Sequence, residues 1–190
     1  MGIGDFFKQL RKANDPTDNA IDLLKADHRN VESLFSEFQN VEDAKSKQQI
    51  LDSLINELTV HATVEEKLVY PIIDKADHSG AGEAFQEHHV VKLLLRELKS
   101  MSPESDKTQA KVTVLCELIK HHVKEEEGDL FNELASSGTD LDELGRRIKK
   151  LKQIIKRKAS QRSTVAKKGS TVAAKKLAAG HKKVARKKAS

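Results

Sequence analysis

The stretch His61-Ala-Thr-Val-Glu65-Glu66-Lys-Leu-Val-Tyr70-Pro71 sets an imidazole and a carboxylate four residues apart inside an apolar run. Four residues are one α-helical turn plus about 40°, so His61 and Glu65 share a face while Glu66 points about 140° away from His61. That face carries Leu51, Leu54, Ile55, Leu58, His61, Glu65, Leu68 and Ile72, the three-and-four spacing of a helix side turned to a core. A carboxylate on such a stripe is costly unless something pairs with it.

The motif occurs twice. In His121-His122-Val-Lys-Glu125-Glu126-Glu127-Gly-Asp-Leu130-Phe131, aligning Tyr70 with Phe131 sets His122 on His61 and Glu126 on Glu65, within the stripe Val112, Leu115, Ile119, His122, Glu126 and Leu130. Two further segments share a second pattern, an acidic residue, then His, then apolar residues at plus three, six, seven and ten: Asp27-His28 to Phe38, and Glu87-His88 to Leu98. His28 is 33 residues before His61 and His88 is 34 before His122, so the chain holds two similar helix pairs. Short links make consecutive helices antiparallel neighbours. The expected fold is therefore all-α, an up-down-up-down four-helix bundle over residues 17–138. Its helices are expected at about 17–39, 43–76, 81–101 and 103–136, with a kink or early end at Pro71.

In that bundle the four seams meet, bringing together His28, His61, Glu65, His88, His122 and Glu126. Imidazoles and carboxylates suit iron, manganese or zinc, and two sets of two His and one carboxylate each match the facial arrangement of non-haem iron with open positions. A metal-free polar core would need all six groups to satisfy one another, which is hard without an ion. His89 and His121 point off the seam, and His78 falls in a loop. Asp27, Glu66, Glu87 and Glu127 read as a solvated acidic face ahead of the alternative, that they are hydrogen-bond partners of the six residues.

Around the bundle, an amphipathic segment at 1–16 ends in Asp15-Pro16, a cap followed by a first-turn proline. A fifth helix at 139–158 starts at Thr139 as its cap, with Leu141, Leu144, Ile148, Leu151 and Ile155 on one side. Residues 159–190 are rich in Lys and Ala and bury too little apolar area to order alone. From Arg146 onward there are 18 Lys plus Arg and no Asp or Glu, whereas residues 1–145 hold 16 basic against 29 acidic residues. The basic region at 146–190 is thus expected to attract nucleic acid or another polyanion without sequence readout. Cys116 is the single cysteine and no run has transmembrane length, so a cytoplasmic protein is expected.

These residues resemble the hemerythrin-like HHE cation-binding family over about 17–136, most specifically in His61-x-x-x-Glu65-Glu66 and Val69-Tyr70-Pro71. The resemblance implies a four-helix bundle with two non-haem iron ions held by the six residues above, and dioxygen or another small diatomic as exogenous ligand. Oxygen-carrying hemerythrins have a second His on the third helix where Lys92 stands. They also have an Asp five residues after the last His, where this chain has Glu127 after His122, or Glu126 after His121. Those departures point from reversible carriage towards oxygen, iron or redox sensing, or iron handling. The competing expectations are a di-iron oxidase or peroxidase-like enzyme and a metal-free helical interaction module. The tail resembles the extensions of linker-histone-like and some bacterial nucleoid proteins.

Overall fold

A computed structural model describes residues 18–75 and 80–161. The amphipathic segment with its Asp15-Pro16 cap, the loop around His78 and the basic region beyond 161 lie outside the described residues. Everything described is helix or short connection: α1 (Ala20–Asn40), α2 (Ala44–Val64), a π-helical turn π1 (Glu65–Val69), α3 (Tyr70–Asp74), α4 (Gly80–Leu98), α5 (Asp106–Glu125), a second turn π2 (Glu126–Leu130), α6 (Phe131–Ser136) and α7 at 141–161. The segments α2–π1–α3 and α5–π2–α6 each form one continuous rod. With α1 and α4 they close a four-membered ring in which α1 packs on α2 and α5, and α4 packs on the same two. The fold is an all-α helical bundle.

The helices start where side chains can satisfy their free amides. Asn19 Oδ1 accepts from the backbone N–H groups of Ile21 and Asp22, opening α1. Asp43 accepts from Ser46 N–H at the start of α2. For α5 the cap is Ser105, which accepts from Thr108 N–H, so this helix begins at Asp106 and not at 103. Asp140, not Thr139, opens α7 by accepting from the amides of Asp142 and Glu143. The fifth helix also runs to 161, past its expected end at 158.

One end of the bundle is filled by Phe35, Phe38, Leu51, Leu54, Leu58, Val91, Leu95, Leu98, Val112 and Leu115, all buried. Leu144 and Ile148 of α7 are buried as well. The helix approaches α1 closely at Gly145, where an added Cβ would stand 1.5 Å from the Asp18 carbonyl oxygen. Lys149 donates to Asp18 at 2.7 Å and Lys152 donates to Asp27 Oδ1 at 2.6 Å.

Pro71 does not end its rod. Tyr70 N–H reaches the Glu65 carbonyl, a five-residue step that widens the helix just before the proline, and α3 continues to Asp74. The same turn occurs at Glu126, with Phe131 N–H bonded to the Glu126 carbonyl and no proline nearby. Because the extra residue rotates the following helix by about 100°, the buried positions after Glu65 are Val69, Tyr70 and Ile73. Leu68 and Ile72, on the uninterrupted stripe, are only half-buried.

Candidate metal centre

All six expected residues converge in the half of the bundle beyond the apolar core. His28 comes from α1, His61 from α2, Glu65 from the start of π1, His88 from α4, His122 from α5 and Glu126 from the start of π2. None is more than 6% exposed. Their donor atoms form two groups, His28–His61–Glu65–Glu126 and His88–His122–Glu65–Glu126, each within 4.8 Å, so both carboxylates belong to both groups.

The two halves mirror one another. His28 Nε2 and His61 Nε2 are 3.1 Å apart, and His88 Nε2 and His122 Nε2 are 3.0 Å apart. Glu65 Oε2 is 3.1 Å from His61 Nε2 and 3.6 Å from His88 Nε2. Glu126 Oε2 is 3.3 Å from His28 Nε2 and 3.5 Å from His122 Nε2. Each carboxylate thus spans the two histidine pairs.

Asp27, Glu66, Glu87 and Glu127 are not a solvated face. Each faces the outward ring nitrogen of one histidine: Asp27 takes His61 Nδ1 at 3.1 Å, Glu66 takes His88 Nδ1 at 3.2 Å, Glu87 takes His122 Nδ1 at 2.5 Å and Glu127 takes His28 Nδ1 at 2.8 Å. An ionised carboxylate only accepts, so Nδ1 carries a hydrogen, and where the ring is neutral Nε2 presents its lone pair inward. Cations back three of the four: Lys152 on Asp27, Lys92 on Glu66 and Arg29 on Glu127. Sequence spacing missed these carboxylates because they adjoin stripe residues and so fall off the stripe. The only signal was the recurrence of an acid immediately before or after His28, Glu65, His88 and Glu126.

The electrostatics follow from this crowding. Burial opposes charge on His61, but Glu65, Asp27 and Glu126 outweigh it and push its pKa up to about 10. Burial and then the neighbouring His122 push His88 down to about 3. Burial and Glu126 raise Glu65. Glu126 is held at about 2 despite its burial, because His28, His122 and His61 surround it. A proton on His61 makes one cation facing five inward groups, His28, His88, His122, Glu65 and Glu126. Both Glu65 oxygens and Glu126 Oε2 remain buried without a hydrogen-bond partner.

These orphaned acceptors are what metal ions would satisfy. Adjacent donors of an octahedral ion with bonds of about 2.1 Å lie about 3.0 Å apart, which matches the Nε2 separations in both pairs. The donor set, imidazole nitrogen with carboxylate oxygen, suits iron, manganese or zinc. Beside it, a cavity of about 10 Å³ is walled by Val31, Leu58, Ala62, Val91, Ile119 and Val123 on its apolar side. That is room for one molecule the size of water.

Two aromatic residues cap the site, one on each half. Phe131 stacks on His28 with centroids 5.8 Å apart and planes 5° from parallel. Tyr70 tilts against His88 at 5.4 Å, and its hydroxyl donates to Glu126 Oε1 at 2.6 Å and lies 3.3 Å from His88 Nε2. Burial, Glu65 and Glu126 all raise the Tyr70 pKa, so it stays a protonated donor. His89 and His121 are exposed.

The pattern of the hemerythrin HHE cation binding domain matches residues 19–134. A protein of Nostoc sp. (strain PCC 7120 / SAG 25.82 / UTEX 2576) named DNA nickase is 32% identical over 127 residues, covering 64% of this chain and 36% of the nickase. The chain therefore spans about a third of that relative's length. The crystal structure of a hemerythrin HHE cation binding domain-containing protein from Mycobacterium kansasii superposes with a TM-score of 0.67 at 23% identity, over 75% of this chain and 90% of that one. The chain belongs to the hemerythrin HHE cation-binding family.

Proposed function

We propose that this protein binds two non-haem iron ions through His28, His61, Glu65, His88, His122 and Glu126, and uses them to sense oxygen or redox state or to handle iron. The observation that carries the reading is the set of buried acceptors with no donor, two facing Nε2 pairs spanned by two carboxylates. An iron pair there supplies one-electron redox chemistry and affinity for dioxygen or another small diatomic. The protein's own groups do the rest. Asp27, Glu66, Glu87 and Glu127 fix the imidazole tautomers, Glu65 and Glu126 each serve both histidine pairs, and the apolar walls exclude water. Lys92 stands where oxygen carriers have a further His and is committed to Glu66, which favours sensing or iron handling over reversible carriage.

A basic C-terminal region that binds nucleic acid or a similar polyanion is the second half of the proposal. Its support is the 18 basic residues from Arg146 onward and the DNA nickase name of a relative. The enzyme reading, a di-iron oxidase or peroxidase-like protein, draws its support from Tyr70, whose hydroxyl holds a proton beside the centre. Elemental analysis of protein purified without chelator should give about two irons per chain, with absorption in air that reduction bleaches. His61→Ala should lose iron, while removal of residues 159–190 should leave it unchanged and weaken salt-sensitive DNA binding, since it takes away 10 of the 18 basic residues. Zinc, one metal or none would defeat the di-iron reading, and peroxide turnover above that of free iron would favour the enzyme.

A further inference from the structure

The two halves of the centre differ in what covers them. Aligning Asp27 with Glu87 and His61 with His122, the first half presents Leu23, Val60, Val64 and Leu68 where the second presents Glu83, His121, Glu125 and Asp129. On the first half Val60 and Val64 are buried, and α7 sets Lys152 against Asp27. At all four positions the second half replaces an aliphatic side chain by a metal-ligating one.

Three of those residues, Glu83, Glu125 and Asp129, line a cavity of about 150 Å³ together with Glu87, His122 and Glu126, with Ala84 and Leu130 but no Lys or Arg. Its outer rim carries a donor cluster, Glu87, His121 and Glu125, with donor atoms within 4.8 Å of one another. His121 Nε2 lies 3.2 Å from Glu125 Oε1 and 3.8 Å from Glu87 Oε1. The inner wall includes Glu126, fully buried, whose Oε2 has no hydrogen-bond partner and whose other oxygen is held by Tyr70. Glu87 joins rim and centre, because Oε1 faces His121 while Oε2 accepts from His122 Nδ1.

We propose that this face is a loading port: Glu87, His121 and Glu125 bind a divalent first-row transition-metal ion at the surface, and the acidic cavity passes it to His122 and Glu126. The inference rests on the metal-binding reading of the centre. A cleft lined by one sign of charge concentrates counter-ions and raises association rates by about 10- to 1,000-fold. The port also gives the centre a side on which a cation meets carboxylates throughout, whereas the equivalent approach on the other half is apolar and closed by a lysine.

The test is the rate at which full-length protein, stripped of metal, takes up cobalt(II), followed by its visible absorption in a stopped-flow instrument. The variant His121→Ala/Glu125→Gln alters only the rim and none of the six central residues. Loading should slow about tenfold or more at low salt, with the same final cobalt content and spectrum at the centre, and the difference should shrink as ionic strength rises. Asp129→Asn should slow loading in the same direction. A rim variant that loads at the parental rate would overturn the port. Failure of the metal-binding reading itself looks different: the parental protein would then show no cobalt spectrum that His61→Ala removes, and the port would fall with it.

Discussion

Gly145 offers a sharp test of how α7 is attached. An added Cβ would lie 1.5 Å from Asp18 O, 2.6 Å from Asp18 C and 3.1 Å from Ala20 N, all backbone atoms that no rotamer change can move. Ordinary carbon–oxygen contact requires more than 3 Å, so Gly145→Ala must separate the helices by about 2 Å or undock α7. Overpacking of this kind costs about 1–3 kcal/mol. Undocking would expose Leu144 and Ile148, at about 1.5–3 kcal/mol each, along with the Lys149–Asp18 and Lys152–Asp27 pairs. The protein will take the cheaper route, so the expected loss is about 1–3 kcal/mol in docking of α7. Hydrogen exchange over 141–152 should accelerate about 5- to 150-fold, since about 1.4 kcal/mol is tenfold in an equilibrium constant. If unfolding stays cooperative, Tm should fall by about 3–10 °C. Gly82→Ala is the control: nothing stands within 4 Å of its Cβ position inside α4, and it should stabilise by about 0.5–1 kcal/mol. Unchanged exchange and Tm in Gly145→Ala would refute the close approach.

Three further outcomes follow from the site. Tyr70→Phe removes the donor to Glu126 Oε1 and should destabilise the protein by about 1–3 kcal/mol in thermal or urea unfolding. Asp27→Ala frees His61 Nδ1 and strands Lys152; metal affinity in a competition titration should drop about 10- to 100-fold. His61 is held protonated up to about 10, so at lower pH an incoming cation must displace its proton, and affinity should rise up to about tenfold per pH unit between pH 7 and 9, with proton release measurable in weakly buffered solution. Without metal the sign reverses. The raised His61 pKa contributes stability that is complete below its unfolded value of 6.5 and is lost as pH rises through 10.

The centre was legible in the sequence because burying a histidine is unusual and burying four in one repeating register is more so. His28, His61, His88 and His122 each interrupt an apolar stripe, and helical periodicity alone brings them to one axis. Three things were hidden. The π-turns at Glu65 and Glu126 are backbone events that leave the apolar spacing before them intact, so the stripe was extended to Leu68 and Ile72 when burial in fact moves to Val69, Tyr70 and Ile73. The carboxylates on the outward ring nitrogens sit next to ligand positions in the chain and resemble any charged helix face. Only the pairing of α1 with α2 and α5, and of α4 with the same helices, turns them towards a neighbour's histidine. Helix starts were misplaced for a third reason: several Ser, Thr, Asp and Asn residues stand near each boundary, and the choice of Asn19, Ser105 and Asp140 depends on loop geometry that composition does not encode.

The paired π-turns leave each rod one residue longer than a regular helix needs. Val69, Tyr70 and Ile73 stand where an unbroken helix would place residues 68, 69 and 72, so loss of Lys67, which lies off the buried seam, would close the rod into a regular α-helix with Tyr70 still facing Glu126. Loss of Gly128 would do the same for Phe131 and His28. The damaging event is a turn that straightens without losing a residue: everything after it then rotates by about 100°, and Tyr70 leaves Glu126 in one half or Phe131 leaves His28 in the other. Chain length and register are thus locked together in each rod, and the same lock stands in both halves of the bundle.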